Sequence, residues 1–324
     1  MQDSLVGFTP VEVQFDAGAP RCRWVNLGGI RFKEPSFSQT LRRLEPLRNL
    51  EEKSRFLNRE LLEEFKRIPK LEPQGFIFQM SRCGSTLLSQ LLATSERSLV
   101  ISEPTAINDL LLPRDENWSD DELILWLQIL ITALGQPPSG EEENYILKFR
   151  SWNLFYLPLI LQAFPRVPWV FVYRDPVEVM VSAMRKRPAY FKAKASGEAG
   201  FLSRLHLEPK EVEAMSEEEY LARTLGEFCS IALKHLGSRG IAIDYRHLPG
   251  AVFEEVALHF NLRFSPMEVA EMKTTSRYYS KDPERAKLFL GDSEDKQRAA
   301  SSAMRAAAER WVLPYIVQIC CKHG

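Results

Sequence analysis

A short segment rich in hydroxyl side chains separates an apolar run from a leucine-rich stretch. It reads SRCGST and consists of Ser81, Arg82, Cys83, Gly84, Ser85 and Thr86. Helix N-termini carry unpaired backbone N–H groups and partial positive charge, glycine permits close approach to an anion, and Arg82 adds a full charge. The segment, called here the 81–86 loop, therefore predicts a phosphate-binding loop without the Walker lysine. An ordinary turn between a strand and a helix is the alternative.

A second segment follows a later apolar run; it reads RDPVEVMVS and begins at Arg174. Asp175 can cap a helix, Pro176 suits its first position and Glu178 its third, which together predict a helix start. Arg174 and Ser182 are left without a structural role. Because the carboxyl ends of strands bind ligands in α/β sheets, Arg174 is a candidate anion ligand. The alternative is that Arg174 only pairs with a nearby carboxylate.

The two segments together resemble the sulfotransferase superfamily that uses 3′-phosphoadenosine 5′-phosphosulfate (PAPS). The matching patterns are [P/S]-[K/R]-x-G-[S/T]-T and Y-R-[D/N]-P-x-[D/E]-V-x-x-S, and the resemblance covers about residues 75–260. In that family the loop holds the 5′-phosphosulfate, and the arginine and the serine hold the 3′-phosphate. The resemblance implies the same roles for the 81–86 loop and for Arg174 and Ser182. It also implies that PAPS, or its product PAP, binds here and that no metal is needed.

Three further residues are candidates for catalysis. Glu103 follows a predicted strand and precedes Pro104. Some branches of the superfamily place a glutamate base after this strand, and the resemblance implies that role for Glu103. The alternative is a carboxylate that only marks the start of a helix. Arg82 occupies the position of a basic residue that contacts the leaving phosphate, which implies charge stabilisation. Lys148 resembles the lysine near the sulfuryl group, although it could be a peripheral ion-pair partner. Arg150 replaces the histidine base of the cytosolic members, and this favours Glu103 as the base.

Two later residues resemble nucleotide contacts of the family. Tyr245, in AIDYRHLP, matches a tyrosine that approaches the nucleoside. Lys281, in YYSKDPERAKLF, is a candidate replacement for the basic-glycine element that closes over the 3′-phosphate. Cys83 is a candidate thiolate in the 81–86 loop, or more simply a filler residue.

The elements that must position these residues alternate between strand and helix. Apolar runs predict buried strands at 75–80, 98–102, 145–149, 168–173 and 240–245. Helices are predicted at 85–92, 121–134, 153–164, 217–236 and 295–310, and an irregular insertion at 187–216. Apolar strands separated by helices predict an α/β fold with a parallel sheet covered on both faces. The resemblance implies a three-layer P-loop architecture.

The first 70 residues differ in pattern from residues 71–324, which are predicted to form the main P-loop domain. An extended stretch at 23–32 and helices near 38–47 and 57–67 are predicted before Pro69 and Pro73 interrupt the chain. Residues 1–70 are therefore predicted to form an N-terminal cap over the main domain.

Composition narrows the class of protein. The chain has 324 residues, of which 45% are hydrophobic and 26% charged, typical of a globular protein, and its net charge of −1 predicts no nucleic-acid partner. The N-terminus does not resemble a signal peptide, and no apolar run reaches the ~18 residues of a membrane span. Five cysteines without a CxxC pair indicate a reducing compartment, and we expect a cytoplasmic protein.

The sequence thus predicts an enzyme that moves a sulfuryl group from PAPS to an acceptor hydroxyl or amine by in-line transfer. A small molecule, a glycan or a lipid remains possible as the acceptor, and the sequence does not indicate an oligomeric state. A P-loop kinase that uses Mg-ATP and a non-catalytic PAP-binding protein are the alternatives.

Overall fold

The computed structural model describes most of the chain. The described residues are 5–16, 19–48, 54–57, 68–112, 119–282 and 286–323. They form two separate sheets, one parallel and one antiparallel.

The central sheet consists of five parallel strands in the order β5-β6-β4-β7-β8. Strands β4 to β8 cover Gly75–Gln79, Ser98–Ser102, Asn144–Lys148, Trp169–Tyr173 and Gly240–Asp244. Nearly every strand residue is buried, as expected for a parallel sheet with helices on both faces. The predicted α/β fold is confirmed, and each predicted strand end lies within one residue of the observed one.

Helices connect these strands and cover the sheet. The helices up to the last strand are α2 Ser85–Leu92, α3 Thr105–Leu111, α4 Asp120–Leu134, α5 Leu157–Ala163, α6 Pro176–Arg185, α7 Tyr190–Ser196, α8 Ala199–Arg204, α9 Pro209–Ala214 and α10 Glu217–His235. The predicted helix at 153–164 is divided into a 3₁₀ segment, Ser151–Tyr156, and α5. Pro158 explains the division, because proline lacks an N–H and fits only the first turn of a new helix.

The insertion at 187–216 is not irregular, and this prediction was wrong. It contains the three short helices α7, α8 and α9. Each buries at least one apolar side chain, among them Phe191, Leu202 and Val212. Tertiary burial therefore stabilises helices that are too short to form from local propensity alone.

The C-terminal part is helical but interrupted. After β8 come a 3₁₀ turn Tyr245–His247, a π segment Val252–Val256, α11 Ala257–His259, α12 Pro266–Thr275, α13 Ser293–Ala299, α14 Ser302–Trp311 and α15 Leu313–His323. The predicted helix at 295–310 is two helices, because Ser301 caps a new one by accepting from the N–H of Met304.

The N-terminal part forms the antiparallel sheet. Strands β1 Phe8–Asp16, β2 Ala19–Asn26 and β3 Ser54–Leu57 pair in sequence order, and α1 covers Phe37–Arg48. The extended stretch predicted at 23–32 is a strand only to Asn26. Of the helix predicted at 57–67, Leu57 ends β3 and the rest lies outside the described residues.

This N-terminal sheet packs on α3 and α4. Gln136 accepts from the N–H of Gly7 at 3.0 Å and donates to the carbonyl of Phe8 at 2.7 Å, and Thr105 donates to the carbonyl of Val11. Buried side chains such as Trp24 belong to the same apolar core as the parallel sheet. The division of the chain at residue 70 therefore stays a prediction. Of the helices formed by the described residues, none is both long and apolar enough to cross a bilayer.

Candidate active site

A predicted site residue stands at or just beyond the carboxyl end of every strand of the parallel sheet. The 81–86 loop follows β4, Glu103 follows β5, Lys148 ends β6, Arg174 follows β7 and Tyr245 follows β8. One pocket of about 550 Å³ is lined by all of them except Lys148, which is buried behind Glu103, and also by Ser182 and Lys281. Parallel strands bring these distant segments to one edge, and the volume suits a ligand of nucleotide size.

The 81–86 loop has a strained backbone. Ser81, Arg82 and Gly84 have φ values of 91°, 49° and 88°, in the left-handed region that non-glycine residues seldom adopt. A side chain at position 84 is also excluded, because a Cβ there would lie 2.5 Å from the ring of Tyr245. Strain of about 1–3 kcal/mol per residue persists where surrounding contacts enforce it, and it is typical of ligand-binding loops. Gly84 immediately precedes α2, so the loop leads into a helix N-terminus as predicted.

The buried residues of the loop have different roles. Cys83 donates to the carbonyl of Val172 at 3.0 Å, and burial raises the pKa of its thiol, so it is a neutral filler rather than a thiolate. Ser85 donates to Oε1 of Gln79 at 2.5 Å. Gln79 in turn donates to Oε1 of Glu103 at 3.2 Å and to the carbonyl of Phe149 at 2.9 Å. Gln79 thus links the loop to Glu103. Gln79 is not among the site residues predicted from the sequence, although a polar residue that ends an apolar strand was a visible signal.

Glu103 is held beside the loop by two cations. Its Oε1 lies 2.8 Å from Nζ of Lys148 and its Oε2 lies 3.5 Å from Nε of Arg150. Lys148 Nζ also lies 3.5 Å from Oγ1 of Thr86, so this lysine stands between the carboxylate and the loop. The Lys148 side chain is 1% exposed and that of Glu103 24% exposed. Glu103 therefore faces the pocket, while the lysine approaches it from the protein interior.

The backbone and the charge of Glu103 are both constrained. Its φ is 58°, and Asn108 donates to its carbonyl at 3.2 Å. Burial acts to raise the pKa of this carboxyl, but Lys148, and after it Arg150 and Gln79, outweigh burial and hold the pKa below its ordinary value. Glu103 is thus ionised at neutral pH and able to accept a proton. It is also a weak base as long as Lys148 stays paired with it.

Arg174 and Tyr245 form another part of the pocket lining. The guanidinium of Arg174 lies over the Tyr245 ring, 4.0 Å from its centroid, and the same ring packs on Gly84. Burial raises the pKa of the Tyr245 phenol, so the ring is neutral. Tyr245 therefore joins the 81–86 loop to Arg174. Ser182, on α6, lines this part of the pocket as well.

Arg174 does pair with carboxylates, as the alternative interpretation required. It lies 2.5 Å from Oε2 of Glu178 and 2.8 Å from Oδ1 of Asp292, and it donates to Oγ of Ser293 at 3.2 Å. Lys296 completes the cluster, with its Nζ 2.8 Å from Oδ2 of Asp292. Asp292 and Lys296 are not among the site residues predicted from the sequence. They lie more than a hundred residues after Arg174 in an ordinary polar segment, which carried no signal.

Positive charge converges around the pocket mouth. Lys281 lines the mouth, and desolvation in the pocket, then the positive charges of Arg82 and Lys148, lower its pKa to about 8. Arg82 donates to the carbonyl of Lys186 at 2.5 Å. The pocket lining thus brings several cationic side chains together, which attracts an anion.

Two carboxylate residues, Glu103 and Asp292, are among the described residues that line the pocket, and both are ion-paired. Among the parts of the chain that the structure describes, no three metal-ligating side chains of the His, Cys, Asp and Glu types come together.

No protein-family model and no curated protein matches the chain. Several solved structures are similar to it at low identity. Sulfotransferase STF9 from Mycobacterium avium shares 13% identity over 74% of this chain and 77% of that one, with a TM-score of 0.43. The sulfotransferase domain of the Synechococcus PCC 7002 olefin synthase shares 14% over 79% and 96%, with a TM-score of 0.40. The sulfotransferase domain from the curacin biosynthetic pathway shares 16% over 75% and 98%, with a TM-score of 0.41. A likeness of this size does not establish a function.

Proposed function

We propose that the protein transfers a sulfuryl group from PAPS to an acceptor hydroxyl or amine. The observation that supports this most is the arrangement of a single pocket. It combines a strained loop at a helix N-terminus, a lining that includes the cationic side chains of Arg82, Arg174 and Lys281, and an ionised carboxylate, Glu103, beside the loop. An anionic donor needs positive charge and backbone N–H groups to bind it, and an acceptor that loses a proton needs a base beside it.

The 5′-phosphosulfate is proposed to bind at the loop. Ser81, Ser85 and Thr86 line the pocket there, and α2 begins at Ser85. Arg82 of the loop and Lys281 supply positive charge there. Lys281 senses the charges of Arg82, Lys148 and Glu103, so it is proposed for this half of the site and not for the 3′-phosphate, as the resemblance implied. Arg82 stabilises the charge that develops on the leaving phosphate, and as a guanidinium it stays protonated throughout.

The adenosine 3′-phosphate is proposed to bind at the other end of the pocket. Arg174, Ser182 and Tyr245 form this 3′ half. Tyr245 connects the two ends, because its ring contacts Gly84 on one side and Arg174 on the other. A nucleotide with phosphates at both ends therefore matches the separation of the site into two anion-binding halves.

The proposed reaction exchanges the S–O bond of the donor for a new S–O or S–N bond to the acceptor. The acceptor oxygen or nitrogen forms a bond to sulfur while the bond between sulfur and the bridging phosphate oxygen breaks, and Glu103 takes the acceptor's proton. The leaving product is adenosine 3′,5′-bisphosphate. Lys148 lies within reach of both Glu103 and Thr86, so a phosphosulfate beside Thr86 draws the lysine toward itself. Glu103 then loses part of its ion pair and becomes a stronger base when the donor is present.

The experiment that tests this proposal is a binding and turnover assay on the full chain. Isothermal titration calorimetry should show adenosine 3′,5′-bisphosphate binding at least about tenfold more tightly than adenosine 5′-monophosphate, because the 3′-phosphate adds a charge-assisted contact. A radiolabelled sulfuryl donor should then be consumed in the presence of a panel of phenols, sugars and lipid alcohols.

Two other outcomes identify the alternatives. Binding of Mg-ATP without preference for the bisphosphate indicates a P-loop kinase instead. Bisphosphate binding with no transfer to any acceptor, in a protein whose Glu103→Gln variant behaves like the wild type, indicates a non-catalytic nucleotide-binding protein.

A further inference from the structure

Asp292 lies between two cations, Arg174 and Lys296. Its two carboxylate oxygens lie 2.8 Å from Nη2 of Arg174 and 2.8 Å from Nζ of Lys296. Glu178 is the other carboxylate of the cluster, and Ser293 donates to it at 3.0 Å while accepting from Arg174 at 3.2 Å. The cluster thus contains two positive and two negative charges.

We infer that Asp292 is a built-in counter-anion, which pairs with Arg174 and Lys296 in the free protein and is displaced by the 3′-phosphate of the donor. Lys296 is then a further ligand of that phosphate. This inference rests on the proposed function, because it requires a nucleotide that carries a 3′-phosphate.

Exposure distinguishes the carboxylate that can leave from the one that cannot. The side chains of Arg174, Lys296 and Glu178 are 6%, 6% and 10% exposed, whereas that of Asp292 is 42% exposed. Glu178 also belongs to α6, which begins two residues after Arg174. Glu178 is therefore a permanent partner of Arg174, while Asp292 can turn toward solvent at little cost.

Charge balance requires the exchange. With Asp292 turned away, two cations and one carboxylate remain, and the net charge of +1 suits a phosphate. With Asp292 in place, a phosphate would enter a cluster that is already neutral and would lie against a carboxylate. Burial lowers the pKa of Lys296, and its hydrogen bond to Asp292 opposes that shift. An anion is thus needed beside Lys296 in both states, since an unpaired buried ammonium is costly.

The exchange also has a consequence for specificity. A nucleotide without a 3′-phosphate offers nothing to replace Asp292, so it leaves the pair intact and binds only through its 5′ end. Asp292 therefore weakens the binding of 3′-phosphorylated nucleotides alone and leaves the binding of 5′-mononucleotides unchanged.

The test compares Asp292→Asn with Asp295→Asn by calorimetry, using adenosine 3′,5′-bisphosphate and adenosine 5′-monophosphate as ligands. Asp295→Asn makes the same charge change in the first turn of α13, the helix that directly follows Asp292, but Asp295 pairs with Arg298 and its side chain is 67% exposed. We expect Asp292→Asn to bind the bisphosphate about tenfold more tightly than the wild type does, because a competing carboxylate is lost. Monophosphate binding should change less than about twofold, and Asp295→Asn should match the wild type for both ligands.

A second variant tests the role of Lys296. Lys296→Met should weaken bisphosphate binding about tenfold without affecting the monophosphate. If Lys296→Met folds poorly, the double variant Asp292→Asn with Lys296→Met replaces it in the test. The double variant removes one positive and one negative charge, so the net charge of the cluster stays the same. It should bind the bisphosphate more weakly than Asp292→Asn alone.

The outcomes separate this inference from the proposed function. If the wild type prefers the bisphosphate but Asp292→Asn binds it no more tightly, the counter-anion role is wrong and the donor assignment stands. If the wild type shows no preference for the bisphosphate over the monophosphate, the donor assignment fails and the inference fails with it.

Discussion

Replacing Glu103 with glutamine should separate three properties that depend on this one carboxylate. Glutamine keeps the size and the hydrogen-bonding capacity of the side chain but cannot accept the acceptor's proton. We expect turnover to fall by about 10²–10⁴, the usual contribution of a general base. The reaction should persist at that lower rate, because the loop and its cations still orient and polarise the donor.

The same substitution should destabilise the fold and tighten donor binding. Lys148 is 1% exposed, and losing the partner of a buried ion pair costs about 3–5 kcal/mol. Because the Glu103 side chain is 24% exposed and Oγ1 of Thr86 lies 3.5 Å from the lysine, we expect a smaller loss, about 2–3 kcal/mol of the free energy of unfolding. Removing the negative charge of Glu103, which shares Lys148 with Thr86 of the loop, should strengthen the binding of an anionic donor by about 1–3 kcal/mol.

Urea denaturation, calorimetry with adenosine 3′,5′-bisphosphate and a donor turnover assay measure the three quantities. Glu268→Gln is the matched control, since Glu268 pairs with Arg97 and is not among the residues that line the pocket. It should cost some stability and leave both binding and turnover unchanged. Glu103→Gln with wild-type turnover would refute the assignment of Glu103 as the base. Unchanged stability would refute the claim that Lys148 depends on it.

Three other predictions concern the cations and the loop. Raising the pH through about 8 should weaken bisphosphate binding, because Lys281 loses its proton and its positive charge there. In Lys281→Arg the affinity, measured by calorimetry, should depend less on pH. Identical pH profiles for the wild type and Lys281→Arg would exclude a role for Lys281. Arg82→Ala should reduce turnover by about 10²–10³. It should lower the free energy of unfolding by only about 1 kcal/mol, since the variant loses the hydrogen bond to the backbone carbonyl of Lys186. A silent variant in the turnover assay would contradict the role of Arg82. Gly84→Ala should weaken bisphosphate binding at least about tenfold, because the new Cβ would displace Tyr245. Gly140→Ala is the control: the φ of Gly140 is 83° and that of Gly84 is 88°, so the backbone strain is similar, but no atom lies within 4 Å of a Cβ at position 140. This control should leave bisphosphate binding unchanged.

The sequence by itself determined the strands of the parallel sheet and the residues at their carboxyl ends. Continuous apolar runs mark strands that are buried on both faces, and polar residues directly after such runs stand out against them. The 81–86 loop, Glu103, Arg174 and Tyr245 were all visible in this way. Their meeting at one edge followed from the parallel arrangement, in which every strand ends on the same side.

Local pattern was less informative where tertiary contacts decide the structure. The three short helices within 187–216 form because their apolar side chains find a core, which a local window does not show. The break at Ser301 depends on a capping hydrogen bond that competes with continued helix. Both errors concern segments in which helix and irregular chain differ little in local free energy.

Only the tertiary structure decided which charges meet. Arg174 and Asp292 are 118 positions apart, and their pairing depends on how the segment before α13 returns to the end of β7. The position of Lys148 between Glu103 and Thr86 likewise depends on the neighbouring places of β4, β5 and β6 in the sheet. Electrostatic energy depends on distances of a few ångströms, and sequence spacing does not encode such distances between remote segments. The sequence therefore supplied the charged residues, and the fold determined which of them are paired.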